Sequence, residues 1–304
     1  MARYWVDQFS YVTGVVRYKD LMYFSLVSDE VAQKRISQSL FFEWDAGSWR
    51  GGEETSRSWD TVGATIALQP LEQAIFLGEK RQVTCIGSGD IHDEQIGSNE
   101  NTPADRGPMR GIRTIGNQVY AVGMNRQAYR RNTSGQWSCI DDGARPPVET
   151  EEIVGFEAID GFNENDVYVV GWEGEIWQYD GTTWSRKVSP TNLVLVDVCC
   201  AGDGIVYACS RIGTLVCGRG DKWETIDHTT FTDDIWNIAW YKDKLYLATM
   251  DSIYTYADHS IKNVDLGNDH PDTCFHLSVR DGVLCSIGAK DVMIFDGKTW
   301  SRID

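Results

Sequence analysis

The chain has 304 residues and a formal net charge of −17, with 45 acidic against 28 basic side chains. That balance excludes nucleic acid and anionic membrane surfaces as partners, since their phosphates need cations. Hydrophobic residues make up 42% and aromatics 12%, enough for a sizeable core, and no apolar run is long enough for a membrane-spanning helix.

The chain opens with "MARYWVDQFSYV". Asp7 and Gln8 interrupt what would be the apolar stretch of a secretory signal, so no signal is expected. Cysteines follow at 85, 139, 199, 200, 209, 217, 274 and 285, with irregular spacing and no CxxC pair. They read as small apolar fillers rather than a metal or disulfide cluster, and unpaired thiols point to a reducing, cytoplasmic setting.

A short apolar phrase recurs along the chain. It appears as "LMYFSL" (21–26), "QAIFLG" (73–78), "QVYAVG" (118–123), "DVYVVG" (166–171), "IVYACS" (205–210), "KLYLAT" (244–249) and "GVLCSI" (282–287). From Val119 through Val167, Val206 and Leu245 to Val283, the anchors fall 48, 39, 39 and 38 residues apart. A period of about 40–50 residues with several short strands per unit is the signature of a propeller blade. The expectation is an all-β, single-domain β-propeller of seven four-stranded blades, or six if the first copy is false. The blades fall near 9–56, 57–108, 109–153, 154–192, 193–230, 231–268 and 269–304.

The fourth blade is the most legible. Its strands read "GFEAID" (155–160), "VYVVG" (167–171), "IWQYD" (176–180) and "TWSRKV" (183–188). The Asp-Gly pair before the last strand predicts a type I′ hairpin. The phrase "YDGTTWSRKV" (179–188) returns as "FDGKTWSRID" (295–304), with looser relatives elsewhere. The tryptophan opening each fourth strand (49, 137, 184, 223, 300) reads as packing between blades, because five copies of one residue suit a structural period better than a ligand site. The sixth repeat, "YADHSIKNVD" (256–265), has neither the glycine nor the tryptophan. Ring closure is open between a plain join and an added strand from residues 3–8.

The stretch "NENDVYVVGWEGEIWQYDGTTW" (163–184) resembles bacterial propeller repeats described as kelch-like or galactose-oxidase-like, and the likeness covers about residues 110–304. It departs from kelch repeats in lacking their Gly-Gly doublet. The resemblance implies a fold, and propellers host enzymes, adaptors and inhibitors alike.

No catalytic motif emerges. Glycine follows Asp180 directly, which breaks the sialidase Asp-box pattern. Only five histidines are present, too few at readable spacing for a copper site. His270 and His276, with Asp269 and Asp272, read as a polar loop and not a metal site. The acidic stretch 89–111 lacks EF-hand spacing and reads as a long, mobile surface loop. No metal, cofactor or catalytic residue is expected.

In a propeller, the fourth-to-first and second-to-third strand connections share one face. Here those connections carry Glu149, Glu151 and Glu152, then Asp227, Asp233 and Asp234, then Asp269 and Asp272, with Trp172 and Glu173 in the fourth blade. Arg126 and Arg211 interrupt the acidity. This predicts an acidic loop face for a basic protein partner, with charge setting on-rate and aromatics supplying anchors. The leading expectation is a non-enzymatic, monomeric, cytoplasmic bacterial binding protein, in its sharper form an inhibitor or immunity-type protein neutralising a basic, toxin-like partner. A carbohydrate-active enzyme or lectin, with Glu157 and Asp197 facing the central channel, is the second reading. An assembly scaffold is the third.

Overall fold

A computed structural model describes residues 6–97, 106–147, 153–228 and 231–304. Seven antiparallel sheets of four strands, each built from consecutive strands, form the ring of a seven-bladed β-propeller. The first blade holds β1 (Phe9–Tyr18), β2 (Leu21–Ser28), β3 (Leu40–Asp45) and β4 (Ser48–Gly51), with the one-turn helix α1 (Asp29–Gln33) after β2. The second holds β5 (Thr61–Ala67), β6 (Gln73–Gly78), β7 (Gln82–Gly87) and β8 (Asp90–Gln95). The third holds β9 (Met109–Ile115), β10 (Gln118–Gly123), β11 (Gln127–Thr133) and β12 (Gln136–Cys139). The fourth holds β13 (Phe156–Asn163), β14 (Asp166–Gly171), β15 (Ile176–Tyr179) and β16 (Trp184–Lys187). The fifth holds β17 (Leu195–Cys200), β18 (Val206–Ser210), β19 (Leu215–Arg219) and β20 (Lys222–Thr225). The sixth holds β21 (Asn237–Tyr241), β22 (Lys244–Ala248), β23 (Ile253–Ala257) and β24 (Ser260–Asn263). The seventh holds β25 (His276–Arg280), β26 (Val283–Ile287), β27 (Val292–Phe295) and β28 (Trp300–Arg302).

All seven copies of the apolar phrase are second strands. Their anchors Val119, Val167, Val206, Leu245 and Val283 are buried because a second strand lies in the middle of its sheet and is covered on both faces. The apolar core divides into seven layers, one between each pair of neighbouring blades. The recurring tryptophans sit in those layers, each facing the preceding blade. Trp184 Nε1 donates to Ile140 O at 2.6 Å, Trp137 Nε1 to Glu94 Oε2 at 2.9 Å, and Trp49 Nε1 to Ile303 O at 2.9 Å across the ring closure. In the sixth blade, which lacks the tryptophan, Ile261 takes the same place.

The hairpins correct one expectation. The Asp-Gly phrase does not make a two-residue type I′ turn. Tyr179 pairs with Trp184 and Phe295 with Trp300, leaving four residues in each turn. Asp180 and Asp296 accept the backbone N–H groups two and three residues on, and Gly181 and Gly297 sit at φ 94° and 95°. Those N–H groups, given to the charged form, hold both carboxyls below the usual range. The two-residue turns occur where the phrase is degenerate, as at Ala46-Gly47 and at Asp258-His259, both with positive φ throughout. A second correction concerns 89–111. Residues 90–95 form β8, whose inward side chain is the charged Glu94, and residues 98–105 lie outside the described residues.

The innermost strand of each blade has no strand on its channel side. At five of the seven junctions its N–H is taken by a polar side chain of the preceding blade. Thr65 Oγ1 accepts from Thr114 N (3.0 Å), Asp160 from Cys200 N (2.8 Å), Asp197 from Ile238 N (2.8 Å), Asn237 from Leu277 N (2.8 Å), and Ser278 Oγ from Val16 N (3.0 Å). The last of these helps close the ring, which among the described residues joins without strand exchange. Lys290 Nζ reinforces the join through Val6 O and Phe9 O (both 2.8 Å) and Asp29 Oδ2 (2.5 Å).

Burial pushes the Asp197 carboxyl up to about 6, against the attraction of Arg113. The native state therefore holds this proton more tightly than the unfolded chain, and the contribution of Asp197 to stability falls as pH rises from about 4 through 6. Asp197→Asn keeps an acceptor, so its stability relative to the parent should rise over that window, while Asp197→Ala orphans two N–H groups and should cost about 1–3 kcal/mol. Denaturant unfolding at pH 4.5 and 7 separates these outcomes.

Candidate functional site

Two regions of the ring offer chemistry: the central channel and the rim where the fourth-to-first and second-to-third connections meet. The channel encloses a cavity of about 540 Å³ lined by the first strands. Its carboxylates are engaged. Asp160 faces Arg113 at 3.3 Å, and Asp197 also accepts from Asn237 Nδ2 at 2.6 Å. Glu157 accepts from Trp172 Nε1 at 2.5 Å and faces Arg110 at 3.6 Å. Burial lowers the His276 imidazole to about 4, so it is neutral near pH 7. Glu157 and Asp197, the channel carboxylates singled out in the sequence, thus sit in the wall as acceptors that hold the fold.

A second cluster lies on the outer flank between blades two and three. Cys85 Sγ, His92 and Glu94 lie close enough to hold a metal, and Ser134 Oγ, His92 and Asp90 follow one another at 3.0 and 2.7 Å in the order of a hydrolase triad. The charge budget of the cluster is already met by Arg131, whose guanidinium donates to Glu94 at 2.5 and 3.1 Å. Burial alone raises the Glu94 carboxyl, yet bonding to Arg131 outweighs it and holds it down to about 2. Glu94 also stands 3.1 Å from Ser134 Oγ, where its charge opposes an oxyanion. The network therefore joins blades two and three. Arg131→Ala leaves Glu94 buried without its cation and should cost about 3–5 kcal/mol, read as a lowered denaturant midpoint.

The rim holds most of the residues marked in the sequence. Glu173, Asp227 and Asp272 are exposed, with no side-chain partner among the described residues. Asp233 is exposed and accepts from Tyr254 OH at 3.0 Å. Others are tied into the fold. Asp234 Oδ1 accepts from Ile212 N at 2.7 Å, and Asp269 pairs with Arg302 at 2.8 Å. Asp141 is buried between Arg106 and Arg145 and offers a partner nothing. Glu149, Glu151 and Glu152 lie outside the described residues. Arg126, which interrupted the acidity in the sequence, is half-buried and its charge is paired with Glu175 at 2.7 and 3.1 Å. Trp172 stands half-buried and donates from Nε1 to Glu157.

Sequence reasoning missed the apolar members of this rim: Ile153, Val188, Ile212, Trp236 and Met250. All are exposed, Ile153 in the connection from blade three to blade four and the other four in blades four to six or the connections joining them. The loops carrying Ile212, Trp236 and Met250 are linked. Met250 O accepts from Cys274 N at 2.9 Å, Trp236 meets Phe275 edge-on at 5.7 Å, and the Arg211 guanidinium lies 4.4 Å from the Trp236 ring centre. Isolated apolar residues inside polar loops carry no period, so nothing in the sequence marked them.

The architecture defines a β-propeller with an elaborated loop face. Solved structures of similar fold include YCF48 bound to D1 peptide (TM-score 0.66, 13% identity, 94% of this chain and 91% of that one). A virginiamycin B lyase from Staphylococcus aureus (TM-score 0.72, 11% identity, 93% and 92% covered) and the WD40 propeller of Doa1 (TM-score 0.69, 12% identity, 96% and 94% covered) are also similar. These likenesses span several kinds of propeller, so they uphold the propeller and not a kelch-like subclass. No protein-family model matches the chain. The chain is 50% identical over 298 residues to immune protein Tsi7 of Pseudomonas aeruginosa, covering 97% of each, and it belongs to that family of immunity-type proteins.

Proposed function

We propose that this immunity-type protein neutralises a basic, toxin-like protein by binding it on the acidic loop face, as a cytoplasmic monomer and without catalysis. The observation that carries this reading is the contrast between the two regions. The channel carboxylates are committed to backbone and side-chain donors, whereas Glu173, Asp227, Asp233 and Asp272 project from the rim. The net charge of −17 supports a cationic partner through steering.

The test begins with capture of the tagged protein from its native lysate at low and moderate salt, with identification of what elutes. One stoichiometric basic protein is expected, retained less well as salt rises. Reversing Glu149, Glu151, Glu152, Asp227 and Asp233 to lysine should then slow association of the purified partner about tenfold or more at low salt and flatten the salt dependence. Unchanged association would overturn the acidic-face reading. Turnover on a glycan panel that is lost in Glu157→Gln would instead favour the carbohydrate reading.

A further inference from the structure

The described residues include eleven large hydrophobic side chains that are well exposed, and six of them lie on the rim. Those six are Ile36 (56% exposed), Ile153 (64%), Val188 (85%), Ile212 (60%), Trp236 (36%) and Met250 (61%). Three of them, Ile212, Trp236 and Met250, stand on loops linked through Arg211, Phe275 and Cys274. Scattered exposed hydrophobics need no explanation, but a group on one face, rimmed by charge, has the anatomy of an interface.

Ile212 adds an independent observation. It sits at φ 59°, in the left-handed region where a β-branched residue is strained. The next residue, Gly213, has φ 71°, and the matching turn of blade four places Glu173 at φ 55° before Gly174 at φ 66°. The turn thus demands a left-handed residue that glycine or asparagine would supply more easily. Ile212 accepts the strain and spends its side chain in solvent, so its packing does not explain the choice. Asp234 fixes the turn by accepting from Ile212 N at 2.7 Å. The ring of Trp236 is held between Arg211 and Phe275, which pre-orders it and lowers the entropy lost on contact. Trp236 also lines the mouth of the central cavity.

We propose that the arc Ile212–Trp236–Met250 is the energetic centre of the interface with the basic protein partner, and that the acidic loops around it are a steering rim. This rests on the functional reading above and goes further, by assigning affinity to the apolar arc and association rate to the acids. The partner it fits carries an apolar patch ringed by lysine and arginine. Charge complementarity selects that occupant over a second copy of this chain, whose own rim is acidic and would be repelled.

The probe is the basic protein recovered by the capture experiment, purified and measured in real-time binding. Trp236→Ala and Met250→Asp should each speed dissociation about 30-fold or more with association nearly unchanged. Ile212→Gly should move two observables in opposite directions: Tm rises by about 2 °C as strain is relieved, and dissociation accelerates about tenfold. Leu71→Asp, on the opposite face, is the control and should bind like the parent. If the arc variants all dissociate within about threefold of the parent, the proposal fails. Should charge reversal still slow association in that case, the acidic-face reading survives alone. If neither set matters and Leu71→Asp abolishes binding, both readings fall.

Discussion

The inner edge of each blade is the constraint on which this ring depends. A first strand faces the channel with backbone N–H groups and no neighbouring strand to accept them. The solution repeats around the ring: a Thr, Asp, Asn or Ser side chain of one blade accepts an N–H of the next. Each such bond spans a junction whose apolar layer is otherwise non-directional, so it sets how one blade is placed against the next. The join of first to seventh blade uses the same device, with the recurring tryptophan contact supplied by Trp49 and with Lys290 added, and among the described residues no exchanged strand fastens it.

That use of polar side chains decides what the channel can do. Its carboxylates are spent on neighbours. Asp160 and Asp197 accept backbone N–H groups of the next blade, and Glu157 accepts from Trp172 Nε1. Each of these carboxylates contributes hydrogen bonds that position the strands and loops lining the channel. The loop face has the opposite character. Its backbone is pinned by a few capping bonds, as at Asp234, while its outward side chains are left to solvent. A rigid scaffold presenting adaptable loops is the usual home of binding function, and it suits an immunity-type protein that must match one partner.

Ile212 shows how the two demands meet. The scaffold asks for a residue with positive φ between strands β18 and β19, and the residue found there is ill suited to it. Strain at an exposed position is tolerated only when the surroundings over-determine it, and the Asp234 bond together with Gly213 does so here.

Much of this was legible in the sequence. The seven second strands announced themselves as apolar runs, because burial on both faces favours Val, Leu, Ile, Tyr, Phe and Ala along most of their length. The tryptophans were legible as packing because they recurred. Strand β8 was not, since its inward residue is Glu94 and the apolar alternation that marks a strand is absent. The Asp-Gly turns were assigned the wrong length, because an Asp capping its own turn and an Asp opening a type I′ hairpin look alike in one dimension. By itself the sequence determined the propeller fold and its acidity, which are periods and sums along the chain, and it left the blade count between seven and six. Only the tertiary structure decided which acids are free and which are spent, and that Ile153, Val188, Ile212, Trp236 and Met250 share one face. Those are relations between residues far apart in the chain, and the packing of successive blades side by side sets them on one face.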